Sequence, residues 1–275
     1  MPTWLRRLER TLGKGEVGGS TPPVGTINKN NEGIVKIIAH RGASSYAPEN
    51  TFAAFSLAVS QGADGIEMDV HLTGDGEIVV IHDKTTERVG DRFLDVTKSC
   101  YEEIRKVDVG SYFKEEFRGE RIPLLKDVLE AFKDVELYVE IKSGMEIVEP
   151  VVSLFRKVDT KNVVIFSFNY DVVKEVKKRL KDVRVLFIAE YGYNVPEEPY
   201  VYDYMIELVE SAGLDGISTC ASLFHGRKFS EKLKSRDFIW NVWTVDNPYL
   251  AVEFKKLGVT SLTTNRPGWI ISHVR

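Results

Sequence analysis

Residues 162–168 read NVVIFSF, residues 169–182 read NYDVVKEVKKRLKD and residues 183–189 read VRVLFIA, with no break between the three segments. The two outer segments are short, apolar and rich in β-branched residues, which is typical of buried strands. The middle segment spaces its valines among lysines with helical periodicity and predicts a surface helix. A strand, a helix and a strand in this order predict a β-α-β unit of a parallel sheet.

The same alternation continues on both sides of this unit. Further strands are predicted at residues 34–39, 63–70, 77–82, 135–142, 215–218, 238–245 and 260–264, with helical patterns between most of them. Eight or so such units in about 240 residues match a TIM barrel, whereas a doubly wound sheet more often stops at five or six strands. We therefore predict an α/β fold, a (β/α)8 TIM barrel over residues 34–275. A Gly-Asp-Gly turn at residues 74–76 predicts that strands two and three pair without a helix between them.

The composition excludes several classes of protein. The 275 residues are 43% hydrophobic and 28% charged, which is enough for a full core and excludes disordered and fibrous proteins. A formal net charge of −4 gives no electrostatic reason to bind nucleic acid. The two cysteines, Cys100 and Cys220, form no Cys-x-x-Cys pair. No apolar segment approaches the ~20 residues of a membrane span, and residues 1–12 do not resemble a signal peptide, so we expect a cytoplasmic protein.

Residues 1–33 differ from the rest and are predicted to be a short N-terminal extension. They combine a basic start with a segment rich in Gly, Pro, Ser, Thr and Asn. Trp4, Leu5, Leu8 and Leu12 share one face of a possible amphipathic helix, which could touch a membrane surface or a partner. The alternatives are a helix packed on its own protein and a disordered arm, because one helix of about twelve residues is marginal in water.

Polar residues gather where four predicted strands end, which in a barrel enzyme is the catalytic face. A period of two places Glu67 and Asp69 on one face of their strand, and Glu140 and Lys142 on one face of theirs. The strand ends carry these side chains together: His40 and Arg41, Glu67 and Asp69, His82 and Asp83, Glu140 and Lys142.

This set of residue types suits phosphate-ester cleavage. Three carboxylates are oxygen ligands for Mg²⁺ or Ca²⁺, two imidazoles can move protons near neutral pH, and an arginine with a lysine can hold an anion. Taken singly, each residue is ordinary, since a strand-end histidine is more often structural and a Glu-Lys pair is more often a surface ion pair. Their joint occurrence at four successive strand ends favours a catalytic site.

Four blocks in order, HRGASSYAPENTFAAF (40–55), DGIEMDVHLTGDGEIVVIHD (64–83), VEIK (139–142) and VWTVDNP (242–248), resemble the glycerophosphodiester phosphodiesterase family. The resemblance implies a TIM barrel that hydrolyses glycerophosphodiesters to sn-glycerol 3-phosphate and an alcohol. It implies a divalent cation, Mg²⁺ or Ca²⁺, with Mn²⁺ as a further option. By motif correspondence His40 and His82 become the acid/base pair, Glu67, Asp69 and Glu140 the metal ligands, and Arg41 and Lys142 the phosphate contacts.

The resemblance also suggests residues around the substrate. Glu49 is expected at the mouth of the site, and Phe168 and Trp243 are expected to line the pocket, although a tryptophan there is also compatible with a barrel core. One departure is Asn265, which stands where the family usually has aspartate. We expect this change to alter helix capping or a nearby loop and to leave the central site intact.

Two other functions remain open from the sequence. A sphingomyelinase D-like phospholipase resembles this family in fold and shares its histidines and its Glu-x-Asp segment, but such toxins are secreted and disulfide-stabilised. A catalytically silent phosphodiester-binding barrel is the other alternative. It would be expected to have lost a histidine or a metal ligand, and this chain has all of them. No nucleic-acid partner is expected, and the head group, the metal and the oligomeric state are left undetermined.

Overall fold

A computed structural model of the chain describes residues 34–195, 200–233 and 235–275. Within it, Val35–Arg275 form one compact unit. The predicted N-terminal extension and its amphipathic helix lie outside the described residues, so their contact with a membrane or a partner stays a prediction. In the described part of the chain, no helix is both long and apolar enough to cross a membrane.

All nine predicted strands are present. Eight of them run parallel and close a barrel in the order β1-β9-β8-β7-β6-β5-β4-β2, with β2 pairing back to β1. β3 lies outside this ring and pairs antiparallel with β2, as the Gly-Asp-Gly turn predicted. The TIM barrel is therefore confirmed. The strands are β1 Lys36–Ala39, β2 Gly65–Leu72, β3 Ile78–Val80, β4 Glu136–Ile141, β5 Val163–Ser167, β6 Arg184–Ala189, β7 Gly216–Cys220, β8 Ile239–Trp243 and β9 Ser261–Thr264.

Helices follow the barrel strands, and side-chain caps fix where several of them begin. The side chains of Asn169 and Asn247 each accept hydrogen bonds from two backbone amides of the first helical turn, and Thr51 accepts one from Ala54. The α-helices of the described residues are α1 Phe52–Ser60, α2 Tyr101–Ile104, α3 Leu125–Ala131, α4 Val148–Phe155, α5 Tyr170–Arg179, α6 Val201–Ser211, α7 Leu223–Leu233, α8 Pro248–Lys256 and α9 Pro267–Val274.

The barrel interior is apolar on one side and hydrogen-bonded on the other. The amide of Asn241 donates to Ser218 Oγ at 2.7 Å and accepts from Ser261 Oγ at 2.8 Å and Thr263 Oγ1 at 3.1 Å. All four residues are buried, so these bonds offset the cost of removing their polar groups from water. The apolar members of the interior are Ile38, Tyr138, Val164, Phe166, Leu186 and Ile188. This packed floor lies beneath the open end of the barrel where the strands terminate.

The segment from β3 to α3 has a small hydrophobic core of its own. Val79, Ile81, Val96, Ile104 and Val107 are buried together in a cluster distinct from the layer between the barrel and its helices. Because residues in this segment pack on each other, it forms a defined structure beside the mouth of the barrel.

Gly42, directly after β1, is needed for a close approach of two backbones. Its φ is +83°, and a Cβ at this position would lie 2.6 Å from the carbonyl carbon of Ala54. We expect Gly42→Ala to lower stability by roughly 2–3 kcal/mol, because left-handed strain and the clash add. Gly119 is a matched control, since its φ is +96° and a Cβ added there would meet nothing within 4 Å. Thermal unfolding of Gly42→Ala and Gly119→Ala checks this. Equal losses of stability in the two variants would show that the close approach to Ala54 adds no destabilisation.

Candidate active site

A cavity of about 250 Å³ opens at the carboxyl ends of the barrel strands. Charged or titratable side chains from β2 and β4 and from the residues just after β1, β3 and β4 line one half. Mostly apolar side chains from β5, β6 and β8, or from the residues directly after β5 and β6, line the other. The charged half consists of His40, Arg41, Glu67, His82, Glu140 and Lys142. The other half includes Phe166, Phe168, Ile188, Glu190 and Trp243. A substrate with an anionic centre and a partly apolar body matches this division, and Glu190 adds one carboxylate to the apolar half.

Three buried carboxylates meet at the charged half of the cavity. Glu67 and Asp69 lie on β2, and Asp69 pairs in register with Glu140 on β4. One oxygen from each lies within 4.8 Å of the others. Glu67 Oε1 and Asp69 Oδ1 are buried and accept no hydrogen bond. Buried oxygens without donors, converging from three carboxylates, fit a hard divalent cation.

The crowding of these carboxylates changes their ionisation. Burial, followed by the charges of Asp69 and Glu140, raises the pKa of Glu67 well above its usual range. Burial and the charge of Asp69 raise the pKa of Glu140 to about 7. Burial also acts to raise the pKa of Asp69, but the charges of Arg41, His82 and Lys142 outweigh it and hold the pKa below its usual value. Burial and mutual repulsion therefore favour the protonated forms of Glu67 and Glu140.

Cation binding at the triad is expected to release protons near pH 7, because Glu67 and Glu140 would have to ionise to become ligands. Both carboxylates have raised pKa values, so affinity should fall as the pH decreases through about 7. Titration calorimetry with Ca²⁺ or Mg²⁺ in buffers of different ionisation enthalpy measures the released protons. An observed enthalpy that does not depend on the buffer would contradict the prediction.

His40 is oriented by an amide. Its Nδ1 lies 2.7 Å from Asn265 Oδ1, while Asn265 Nδ2 donates to Asp246 Oδ2 at 2.6 Å. Because the Asp246 carboxylate can only accept, it fixes which end of the amide faces the ring, so Nδ1 is the donor and Nε2 of the neutral ring holds the lone pair. Nε2 lies 4.0 Å from Glu67 Oε2. Burial and the charge of Arg41 lower the pKa of His40.

The contact of Asn265 with His40 differs from what the sequence led us to expect. We expected the Asn265 substitution to affect only a cap or a loop, but its side chain touches a predicted catalytic residue and also accepts a hydrogen bond from Ser44 Oγ at 2.8 Å. The barrel brings β9 beside β1 and so places residue 265 next to residue 40.

His82 is oriented by a carboxylate. Its Nδ1 lies 2.6 Å from Asp83 Oδ1, and its Nε2 lies 3.2 Å from Lys142 Nζ. Burial acts to raise the pKa of Asp83, but hydrogen bonds from His82 and Arg88 lower it overall. The two histidines therefore differ in the group that accepts from Nδ1, a neutral amide for His40 and an anion for His82.

The cationic side chains are held in place by the acidic ones. Arg41 has a φ of 56°, and its backbone N–H donates to Glu67 Oε2 at 2.8 Å. Its guanidinium donates from Nη1 to Glu49 Oε1 at 3.0 Å, and its Nε lies 3.1 Å from Asp69 Oδ2. Lys142 Nζ donates to Glu140 Oε1 at 2.8 Å. Arg41 and Lys142 both line the cavity, so either side chain can also contact an anion bound there.

The predicted pocket residues occupy two different places. Phe168 and Trp243 line the cavity in an edge-to-face pair with centroids 5.6 Å apart, and Tyr193 packs on Phe168 from the other side at 5.8 Å. Glu49 is not among the residues that line this cavity. Its carboxylate lies behind Arg41 and binds the guanidiniums of Arg41 and Arg88.

The structure also brings in residues that sequence reasoning missed. Asp246 and Arg88 contact the site through other side chains, and Glu190 lines the cavity at the end of β6. Glu190 could have been found by its position directly after a predicted strand. The sequence offers no comparable signal for Arg88, which lies in a loop.

Comparison with known proteins identifies this arrangement. The model of the glycerophosphoryl diester phosphodiesterase family matches residues 40–269, which include every predicted site residue. The chain belongs to this family. Membership makes it an enzyme, a phosphoric diester hydrolase with a TIM barrel fold.

Relatives of this family match nearly the whole chain. A glycerophosphodiester phosphodiesterase of Caldanaerobacter subterraneus is 35% identical over 257 residues, covering 87% of this chain and 97% of that protein. Among solved structures, an Oleispira antarctica phosphodiesterase in complex with the product sn-glycerol-3-phosphate is 26% identical with a TM-score of 0.77, covering 87% of this chain and 96% of that one. A family member from Agrobacterium tumefaciens is 26% identical with a TM-score of 0.74, covering 87% and 100%.

Proposed function

We propose that this enzyme hydrolyses glycerophosphodiesters to sn-glycerol 3-phosphate and an alcohol, with a divalent cation and two histidines as acid and base. The observation that carries the proposal is one cavity in which a buried carboxylate triad with donor-free oxygens faces two histidines, an arginine and a lysine. The sn-glycerol-3-phosphate complex of the Oleispira relative supports the same product.

Glu67, Asp69 and Glu140 would hold the cation, either Mg²⁺ or Ca²⁺, with Mn²⁺ as a third option. When bound there, the cation would neutralise charge on a phosphate oxygen. Arg41 and Lys142 bind the remaining phosphate oxygens, since both line the cavity and both are fixed charges. Phe168 and Trp243 pack against the uncharged part of the substrate.

The two histidines take opposite roles because their Nδ1 partners differ. His40 is neutral, with its lone pair on Nε2 near the triad, and it accepts the proton of the attacking hydroxyl. As the new P–O bond forms, the P–O bond to the alcohol breaks. His82, whose Nδ1 is held by the Asp83 carboxylate, donates a proton to the departing alkoxide. The attacking hydroxyl belongs to water or to the glycerol of the substrate itself. In the second case this step gives a cyclic phosphate, and water then attacks phosphorus and breaks the ring P–O bond to give glycerol 3-phosphate.

Phosphorus NMR tests the proposal directly. Metal-stripped enzyme is incubated with glycerophosphodiesters bearing choline, ethanolamine, glycerol or inositol, and Ca²⁺, Mg²⁺ or Mn²⁺ is then added singly. The expected result is metal-dependent formation of glycerol 3-phosphate, and a transient cyclic phosphate identifies the substrate hydroxyl as the nucleophile.

Two further arms address the other functions. Faster cleavage of micellar sphingomyelin or lysophospholipid than of the water-soluble diesters would favour a phospholipase D-like activity. Cation binding by calorimetry without turnover of any diester would contradict the proposed hydrolysis and favour a binding module.

A further inference from the structure

Arg88, in the segment after β3, joins two carboxylates that stand behind the active site. Its Nε donates to Asp83 Oδ2 at 2.6 Å. Its Nη1 and Nη2 donate to the two oxygens of Glu49, each at 2.8 Å. Three hydrogen bonds from one planar guanidinium to two carboxylates fix the position of both.

Each of these carboxylates also accepts a hydrogen bond from a residue that lines the cavity. Asp83 uses its other oxygen to accept from His82 Nδ1 at 2.6 Å. Glu49 Oε1 also accepts from Arg41 Nη1 at 3.0 Å. Arg88 itself is not among the residues that line the cavity. A single side chain outside the cavity therefore lies behind both a histidine and an arginine of the site.

We propose that Arg88 is a positioning residue that sets the orientation of His82 through Asp83 and the position of the Arg41 guanidinium through Glu49. The inference rests on the proposed function, because it assigns proton transfer to His82 and phosphate binding to Arg41. It adds one residue that acts on both at once from outside the cavity.

Charge and geometry explain why this residue is an arginine. With Arg88 present, two carboxylates, Glu49 and Asp83, are balanced by two guanidiniums, and the bidentate pair with Arg88 leaves Glu49 only one bond to Arg41. Without Arg88, Asp83 keeps only its contact with His82 and Glu49 only its contact with Arg41, and Glu49 would draw the Arg41 guanidinium away from the phosphate. A lysine would keep the charge, but its single ammonium cannot reproduce the planar three-bond arrangement.

Arg88→Gln is expected to lower kcat at least ~10-fold and to raise KM at least ~3-fold, since small displacements of catalytic groups have effects of this order or larger. Arg88→Lys should lie between this variant and the wild type. Arg92→Gln is the matched control, because Arg92 lies in the same segment and pairs with exposed Asp91 but contacts no residue of the cavity. Its kcat and KM should stay within about twofold of wild type.

A double-mutant cycle and NMR separate positioning from a loss of general stability. If Arg88 acts on His82 through Asp83, adding Arg88→Gln to Asp83→Asn should lower kcat by no more than about twofold beyond the larger single effect. The rise in KM, which is transmitted through Glu49 to Arg41, should persist in the double variant. Nitrogen-15 NMR of the imidazoles reports the tautomer of His82, whose signal is assigned by its loss in His82→Ala. Arg88→Gln should change that signal and Arg92→Gln should not.

Two results would overturn the proposal: wild-type kcat and KM in Arg88→Gln, or a full additive loss in the double variant. If Arg88→Gln does not fold, Arg88→Lys serves for the same comparison. Wild-type enzyme without turnover on any diester would refute the proposed function instead. The imidazole spectra would still show whether Arg88 orients His82, because they do not depend on activity.

Discussion

His40→Ala and His82→Ala are each expected to lower kcat at least ~100-fold while the fold stays intact, because each removes a proton-transfer group from the cavity. His40 would lose the Nε2 lone pair beside the triad, and His82 would lose the donor held by Asp83. Steady-state kinetics on the best diester measures both effects. His273→Ala is the control, since this histidine lies near the end of α9 and is exposed. Wild-type rates in either cavity variant would refute the assignment.

A change of leaving group separates the two roles. A 4-nitrophenyl diester releases an anion that needs no protonation, so the defect of His82→Ala should shrink with this substrate. The defect of His40→Ala should persist, because the attacking hydroxyl must still lose its proton. The reverse pattern would exchange the acid and the base between the two residues.

Glu67→Gln is expected to raise the cation concentration for half-maximal activity at least ~10-fold, because an amide oxygen replaces an ionised ligand of similar shape. Fewer protons should also be released on cation binding in this variant, because Glu67 has a raised pKa and the glutamine that replaces it has no carboxyl proton to lose. Calorimetry and activity titrations measure both. Glu136→Gln tests specificity, since Glu136 is a carboxylate at the opposite end of β4 that pairs with Lys36 and Arg184. An unchanged titration in Glu67→Gln would remove it from the ligands.

Structural features that depend on a short stretch of sequence, such as strands and tight turns, could be predicted from the sequence. Each strand of the barrel follows from a short apolar segment, and the pairing of β2 with β3 follows from the turn at residues 74–76. The cavity is lined by His40, His82, Glu67, Glu140, Arg41 and Lys142. These residues lie near or just after the carboxyl ends of strands, and in a barrel all of these ends face the same opening.

Contacts that depend on closure of the barrel or on a loop could not be predicted. Asn265 and His40 are 225 residues apart and meet only because β9 and β1 are neighbours. Arg88 and Glu49 meet across 39 residues through a loop without periodicity. Glu49 was predicted at the mouth of the site from the resemblance, and only the three-dimensional arrangement places it behind Arg41.

The small core between β3 and α3 gives this segment packing of its own within the compact unit. The barrel supplies the triad, His40, Arg41 and Lys142. His82 lies just after β3, where the chain enters the segment that contains the small core. A segment that packs on itself can be grafted as a unit, with Val79 and Leu124 joined by a bridge at its base. Exchange of residues 84–122 between relatives would therefore replace Arg88 together with the greater part of this core, and would leave the triad in its original scaffold.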